Sequence, residues 1–283
     1  MASIDAQLDH VVLLLLYKDI INPPAWVTDH FTLSPGGRHA DNKTENRLVL
    51  FADGTYLELI AFIDDDPERR KGHWWDKPYG VIDYALTTPD ETFGELKAIN
   101  SRLADTDTAI SYTAPKEGGR VKPDGQELQW RVTFPEGTSR GSVPFWCHDI
   151  TPRNRRVPVT EQNTSHPSGT MGMAGLSLQI QEQSASRLNK ATAAILDHDL
   201  EEKARYGLGV PRTVAGAKKP YIKIQNAAGE GRKEVNLSLV LQTSQDLPDI
   251  SHKIGDGTVH IVFEHPESSS WYGDGSGPRP FRE

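Results

Sequence analysis

The chain has 283 residues, 36% of them hydrophobic and 25% charged, which suits a soluble globular protein with one large domain or two ordinary ones. A formal net charge of −8 argues against a nucleic-acid backbone or an anionic membrane as partner, and a single cysteine, Cys147, excludes an internal disulfide framework. Residues 1–7 carry no basic leader, so the expected compartment is the cytosol.

LDHVVLLLL at 8–16 reads as a buried strand, because an unbroken run of Val and Leu suits a covered sheet. It is too short to cross a bilayer, which takes about 20 apolar residues. His10 interrupts the run and must find a partner inside the protein, either a structural hydrogen bond or a metal ion. NPPAWVTDHF (22–31) reads as a short helix with Asn22 as its cap and prolines at its opening. SPGGRHADNKTEN (34–46) reads as a Gly-containing polar loop. NRLVLF (46–51) and TYLELIAFI (55–63), joined by Ala52-Asp53-Gly54, predict a hairpin.

The order then returns. VIDYALTT (81–88) is a strand, and Pro89-Asp90 opens a helix through 91–103. Strands follow near AISYTAP (109–115), ELQWRVTF (127–134) and SVPFWCHDI (142–150), with a Gly/Lys/Pro turn before the second. Two β-α-β-β-β blocks in succession indicate an internal duplication. Residues 151–172 lack periodicity and form a connector, in which Arg153, Arg155 and Arg156 read as solvated linker. A third β-α-β-β-β order spans 173–265: strands AGLSLQI (174–180), PYIKIQ (220–225), EVNLSLVLQ (234–242) and TVHIVFEH (258–265), with a helix over 186–205. Gly229 and Gly231 fall in a turn of this unit, and the tail 266–283 is expected to be loosely held. The expected organisation is a paired unit over 1–150, the connector, the third unit and the tail.

A histidine in the first strand and a glutamate in the last resemble the vicinal oxygen chelate superfamily, which includes glyoxalase I, the extradiol dioxygenases and antibiotic-sequestering proteins. The phrases LDHVVL (8–13), PGGRH (35–39), DGTYLELIAF (53–62), LQWRVTFP (128–135), PFW (144–146) and HPSG (166–169) resemble its glyoxalase-like domain proteins. The resemblance covers about residues 7–180. It implies an α+β fold in which repeated βαβββ units form a cup-shaped mixed β-sheet barrel with flanking helices, followed by a third, degenerate βαβββ unit.

Strand alternation puts His10, Val12 and Leu14 on one face, and likewise Tyr56, Glu58 and Ile60; Val81, Asp83 and Ala85; and Pro144, Trp146 and His148. The resemblance implies that His10, Glu58, His148 and Asp83 hold a divalent metal (Fe, Mn, Zn or Ni), with His10, Glu58 and His148 as the catalytic set. The order departs from glyoxalase I, whose second half supplies His and then Glu, and from the extradiol enzymes, whose ligands share one unit. The bland alternatives are Asp83 paired with an Arg or Lys, and His10 hydrogen-bonded to Glu58 without metal. Arg38 and His39 are expected to anchor substrate, since a guanidinium presents a fork to oxyanions. Tyr56 and Trp146 would wall the cleft, and Trp75 beside Trp74 would form a lid or close the barrel end. Arg131 is either a second anchor or a salt-bridged barrel residue. Cys147 is expected to face away as an inert thiol, and His166 either re-enters the cleft or starts the connector. In the third unit the matching positions, Ser177 and Phe263 or Glu264, break the ligand set, so this unit would cap the barrel or build a dimer surface.

The expected function is a glyoxalase-like enzyme acting on an oxygen-rich small or medium molecule by lyase, isomerase or dioxygenase chemistry. The alternative is a metal-free protein that binds or sequesters a small molecule, and a third reading is a non-catalytic accessory subunit. A small-molecule substrate and a homodimer are the expected partners, with no nucleic acid and no membrane.

Overall fold

The computed structural model of the chain describes residues 4–90, 93–122, 124–227 and 235–265. The apolar run forms β1 (Gln7–Leu14), and its alternating side chains enter two different environments. His10, Val12 and Leu14 face the inside of a closed barrel, whereas Leu8, Val11 and Leu13 face a second core outside it.

The barrel is completed by β2 (Ser34–His39), β3 (Thr44–Leu50), β4 (Tyr56–Phe62) and β5 (Gly80–Thr87). The short β6 (Ser111–Tyr112) stands apart, and β7 (Lys116–Val121) and β8 (Glu127–Thr133) return to the barrel. β9 (Pro135–Glu136) pairs only with β6, and β10 (Phe145–Asp149) is the last barrel strand. The order around the barrel is β1-β4-β3-β2-β7-β8-β10-β5. In the first half β1 runs parallel to β4, and in the second β5 runs parallel to β10. The halves join where β1 meets β5 and where β2 meets β7, both antiparallel. This is the duplicated, cup-shaped α+β barrel that the sequence leads one to expect.

Two barrel strands lie in stretches that read as loop and turn, SPGGRH and KEGGRV. Glycine is a poor strand former, but here close approach requires it. A Cβ on Gly36 would lie 2.0 Å from the Asn46 carbonyl oxygen, and one on Gly118 would lie 2.7 Å from Trp130 Nε1. The register of β2 on β3 shifts between Pro35 and Gly37, so Gly36 sits in a bulge.

The helices are shorter than expected. α1 (Tyr17–Ile21) is additional, and Asn22 ends it rather than opening the next; of the helix expected over 22–31 only α2 (Ala25–Thr28) forms, and α3 (Pro67–Arg70) is also additional. α4 (Leu96–Ala104) starts later than Asp90, with the positions 91 and 92 outside the described residues. The connector holds α5 (Arg153–Arg156) and α6 (Glu161–Thr164).

Beyond it come β11 (Thr170–Ile180), α7 (Glu182–Leu196), β12 (Arg205–Gly207), β13 (Tyr221–Asn226), β14 (Asn236–Thr243), β15 (Ile250–Ile254) and β16 (Gly257–Glu264). They form an open sheet in the order β12-β13-β11-β14-β16-β15. Around its β11–β14 antiparallel seam the barrel's pairing recurs: β11 is parallel to β13, β14 is parallel to β16, and each outer strand is antiparallel. The region therefore contains two abbreviated units, β11-α7-β12-β13 and β14-β15-β16, rather than a single degenerate βαβββ. The turn at Gly229 and Gly231 and the tail 266–283 lie outside the described residues.

The main core fills the space between β1, β5 and this sheet, where Leu8, Val11 and Leu13 pack in one cluster with Leu176, Leu178, Leu239 and Leu241. Each such side chain contributes roughly 1.5–3 kcal/mol when fully buried. No helix among the described residues is long and apolar enough to cross a membrane.

Gly36→Ala is expected to lower the unfolding free energy by at least about 2 kcal/mol, because its Cβ must displace backbone rather than a flexible side chain. The midpoint of urea unfolding measures this.

Candidate active site

The barrel encloses a cavity of about 330 Å³, and its two halves line it differently. The first half contributes His10, His39, Asn46, Tyr56 and Glu58; the second contributes Trp130, Val132, Phe134, Phe145 and Cys147, with Lys116, Glu117 and Arg120 from β7. Trp75 covers the apolar side, and Trp74, 46% exposed, lies at the mouth against Phe134 with ring centroids 5.6 Å apart.

Glu58 stands at the centre of the polar half. Its Oε2 faces His10 Nε2 at 3.6 Å, and its Oε1 faces His39 Nε2 at 3.5 Å. Asn46 Nδ2 donates to Oε1 at 2.5 Å. The orientation of that amide is fixed, because Asn46 Oδ1 accepts from Arg120 Nη1 at 2.8 Å and from the Gly37 backbone at 2.9 Å. The bulge of β2 thus positions the asparagine that holds the carboxylate.

His10 is oriented from its other side. The β1–β5 register shifts between Leu8 and His10, so the adjacent Asp9 and His10 side chains can meet, with Nδ1 to Oδ2 at 2.6 Å. Arg156 donates to both oxygens of Asp9, at 3.0 and 3.1 Å, and to Tyr56 Oη at 2.6 Å. It also grips Asp149 through two bonds of 2.5 and 2.8 Å. Arg153 pairs with Asp9 as well, and it donates to the Gly54 carbonyl at 2.7 Å. Burial alone would raise the Asp9 carboxyl, but the two guanidiniums and His10 hold it well below the usual carboxylate range. An ionised Asp9 accepts the Nδ1 proton and leaves Nε2 directed at Glu58. Tyr56 stacks on the imidazole at 4.6 Å with 14° between planes. Burial, and secondarily Arg120, lowers His39 despite the opposing pull of Glu58, so it stays neutral at physiological pH.

The other expected site residues lie elsewhere. Asp83 is engaged by Arg140, whose Nε donates at 2.9 Å, and by Trp75 Nε1 at 3.1 Å. His148 and Trp146 share a face, but it is the outer one. Trp146 packs in the core outside the barrel, and His148 stacks on Phe93 at 4.3 Å and meets Thr88 Oγ1 at 3.0 Å. Cys147, between them, faces the cavity, and burial pushes its thiol well up. β10 is thus offset by one residue from the expected alignment, and period-two alternation turns that offset into the opposite face, whereas on β5 Asp83 still faces inward beside Trp75. Arg38 also points out, 57% exposed and paired with Glu45 at 3.0 Å, while its neighbour His39 points in. Arg131 is exposed on β8. His166 is structural: it accepts from Thr32 N at 3.1 Å and bonds the Leu50 carbonyl at 2.9 Å.

Asp9, Asn46, Arg120 and Arg156 were not singled out by the sequence. Arg156 in particular is 4% exposed, not solvated linker. The available signal was Leu8-Asp9 recurring as Ile82-Asp83, two acidic residues in apolar strands, each of which needs a cation.

The profile of the glyoxalase-like domain family matches residues 8–196. The chain belongs to that family. Its barrel is the vicinal oxygen chelate fold. A hypothetical protein from Staphylococcus aureus superposes with a TM-score of 0.62 and 15% identity, over 92% of this chain and 100% of that one. A Mn(II)-bound glyoxalase from Novosphingobium aromaticivorans gives 0.45 and 11%, over 99% and 96%. A halotolerant catechol dioxygenase gives 0.44 and 9%, over 93% and 87%. At these identities the likeness is one of fold. No functionally curated protein matches the chain.

The fold implies a divalent metal, but the expected four ligands do not fit one. Asp83 is committed to Arg140, His148 is on the far side of the sheet, and β10 presents Phe145 and Cys147 to the cavity instead. Among the described residues no cluster of three His, Cys, Asp or Glu has the arrangement to hold a metal.

Two outcomes follow for stability. Asp9→Asn strips a carboxylate from two guanidiniums and is expected to destabilise by about 3–5 kcal/mol in urea unfolding. Burial lowers His148 and His73 from 6.5 to about 4, so the unfolded chain binds more protons between those values. Their contribution is fully present above about pH 6.5 and is lost as pH falls towards 4. His148→Phe is expected to shrink that loss by up to about 3 kcal/mol, read from unfolding midpoints at both ends of the window.

Proposed function

We propose that the cavity performs acid–base chemistry on a small, oxygen-bearing carbon acid, with Glu58 as the base. The observation that carries this reading is the placement of Glu58 between a buried imidazole, His10, and a half-buried one, His39, each with Nε2 facing one carboxylate oxygen. The gaps of 3.6 and 3.5 Å exceed a direct hydrogen bond and suit groups that tighten around a substrate.

Glu58 takes a proton from a carbon next to a carbonyl, and the electron pair of that C–H bond moves onto the carbonyl oxygen to give an enolate. Neutral His39 donates a hydrogen bond to developing negative charge, and His10, held through Nδ1 by Asp9, receives or returns the proton at Nε2. Reprotonation at the same or a neighbouring carbon gives epimerisation or isomerisation, and loss of a group from the next carbon gives lyase chemistry. The aromatic wall and Tyr56 exclude water from the ion pair that forms. Membership of the glyoxalase-like family supports catalysis of this general kind.

Incubation in D₂O with a panel of aryl ketones and 2-oxo acids, followed by proton NMR, tests the reading without knowledge of the product. Wild type is expected to wash out an α-proton, and Glu58→Gln to slow this by about 10²–10⁴-fold while ligand binding persists. Exchange that survives in Glu58→Gln would sink the proposal. Saturable binding with no exchange anywhere in the panel would favour a sequestering protein instead.

A further inference from the structure

Arg120 sits on β7, lines the cavity and is 5% exposed. Its Nη1 donates to Asn46 Oδ1 at 2.8 Å, and its Nε has no acceptor. The other guanidinium of the lining, Arg156, is matched by Asp9 and Asp149, and its neighbours Arg140 and Arg153 are matched by Asp83 and by Asp9 with Asp149. Among the described residues none brings a carboxylate within ion-pair distance of Arg120, and Glu58 acts on it only across Asn46. A guanidinium does not shed its proton to escape burial, so a charged, under-used donor is stored in the cavity wall. A buried cation without a counter-ion is costly, and because Arg120 lines the cavity, an anionic group of a ligand can supply one.

We propose that Arg120 seats an anionic group of the substrate, and that this substrate is a monocarboxylate with a flat apolar body. The inference deepens the proposed function by naming the class of molecule, and it rests on that reading for the chemistry but not for the binding.

One charge is the number that fits. Arg156 also lines the cavity, but its donors are already taken up by Asp9, Asp149 and Tyr56. The remaining cation of the lining, Lys116, is exposed at the start of β7, so a phosphate dianion seated on Arg120 would set its second charge against the Glu58 carboxylate. A carboxylate matches the guanidinium in charge and shape. The apolar body follows from the rest of the lining, where Trp75, Trp130, Phe134 and Phe145 present rings and Cys147 presents a neutral thiol. With the carboxylate on Arg120, Asn46 becomes the spacer between the anchored end of the substrate and the base: it touches Arg120 through Oδ1 and Glu58 through Nδ2.

The test titrates the full chain with phenylacetate, phenylacetamide and phenyl phosphate to about 10 mM, read by calorimetry. Phenylacetate is expected to saturate and to bind at least about 10-fold more tightly than the amide or the phosphate. Arg120→Met is expected to weaken phenylacetate by about 30-fold or more and to leave the amide within about 2-fold. Glu58→Gln should retain the preference for the acid while it loses proton exchange, which separates failure of this inference from failure of the proposed chemistry. Equal affinity for acid and amide, tighter binding of the phosphate, an unchanged acid affinity in Arg120→Met, or no saturation by phenylacetate would each overturn the proposal. Should Arg120→Met not fold, the wild-type comparison of acid, amide and phosphate decides it alone.

Discussion

The barrel depends on one guanidinium. Arg156 lies between Asp9 and Asp149, carboxylates from the first strand of one half and the last strand of the other, and it also reaches Tyr56 on a third strand. With Arg153 it makes a set of two cations and two anions whose charges cancel. Cancellation is what permits burial, since a lone carboxylate at 0% exposure would either take up a proton or destabilise the fold. The same contacts that neutralise Asp9 keep it ionised, and an ionised Asp9 dictates which nitrogen of His10 carries its proton. Fold stability and the tautomer of a cavity histidine thus rest on the same hydrogen bonds.

The duplicated halves have diverged in what they show the cavity. In the first, inward positions are polar: His10, His39, Asn46 and Glu58. In the second, β8 and β10 present Phe145, Cys147, Trp130 and Val132, only β7 adds polar groups, Arg120 among them, and Asp83 on β5 is closed off by Arg140 lying over the Phe134 and Phe145 rings. A symmetric barrel would bring ligands from both halves to a shared point. This one instead sets a proton-handling wall against an aromatic wall, and a small amphiphilic molecule satisfies both at once.

Much of this was legible in the sequence, and the limits have physical causes. The faces of β1 and β4 were readable, because long apolar strands fix their alternation and put His10, Tyr56 and Glu58 together. β10 was harder: with Phe145, Trp146 and Cys147 all apolar, no hydropathy contrast tells the inner face from the outer, and a one-residue offset sends His148 outside. β2 and β7 were unreadable as strands because glycine signals a turn, while the demand for glycine comes from Asn46 and Trp130 on the neighbouring strands. Two cavity residues, His39 and Arg120, stand on those two strands, opposite one another in the register. The region where local propensity is weakest is also where the polar wall is built.

The connector shows why the boundary of a repeat is not the boundary of a working unit. Residues 4–150 contain every barrel strand, yet without α5 they would bury Asp9 and Asp149 with neither of their arginines. The sheet beyond is tied to the same place. Asp53, in the turn between β3 and β4, accepts from Met173 N at 3.1 Å, and its carbonyl accepts from Arg212 N at 2.9 Å. Gly54, the next residue in that turn, gives its own carbonyl to Arg153. One turn therefore touches the barrel hairpin, the connector and the second sheet. Loosening the second sheet loosens the turn, then Arg153, then Asp9 and the orientation of His10. By this chain of contacts the abbreviated units, whose described residues contribute no side chain to the cavity lining, still bear on the geometry inside it.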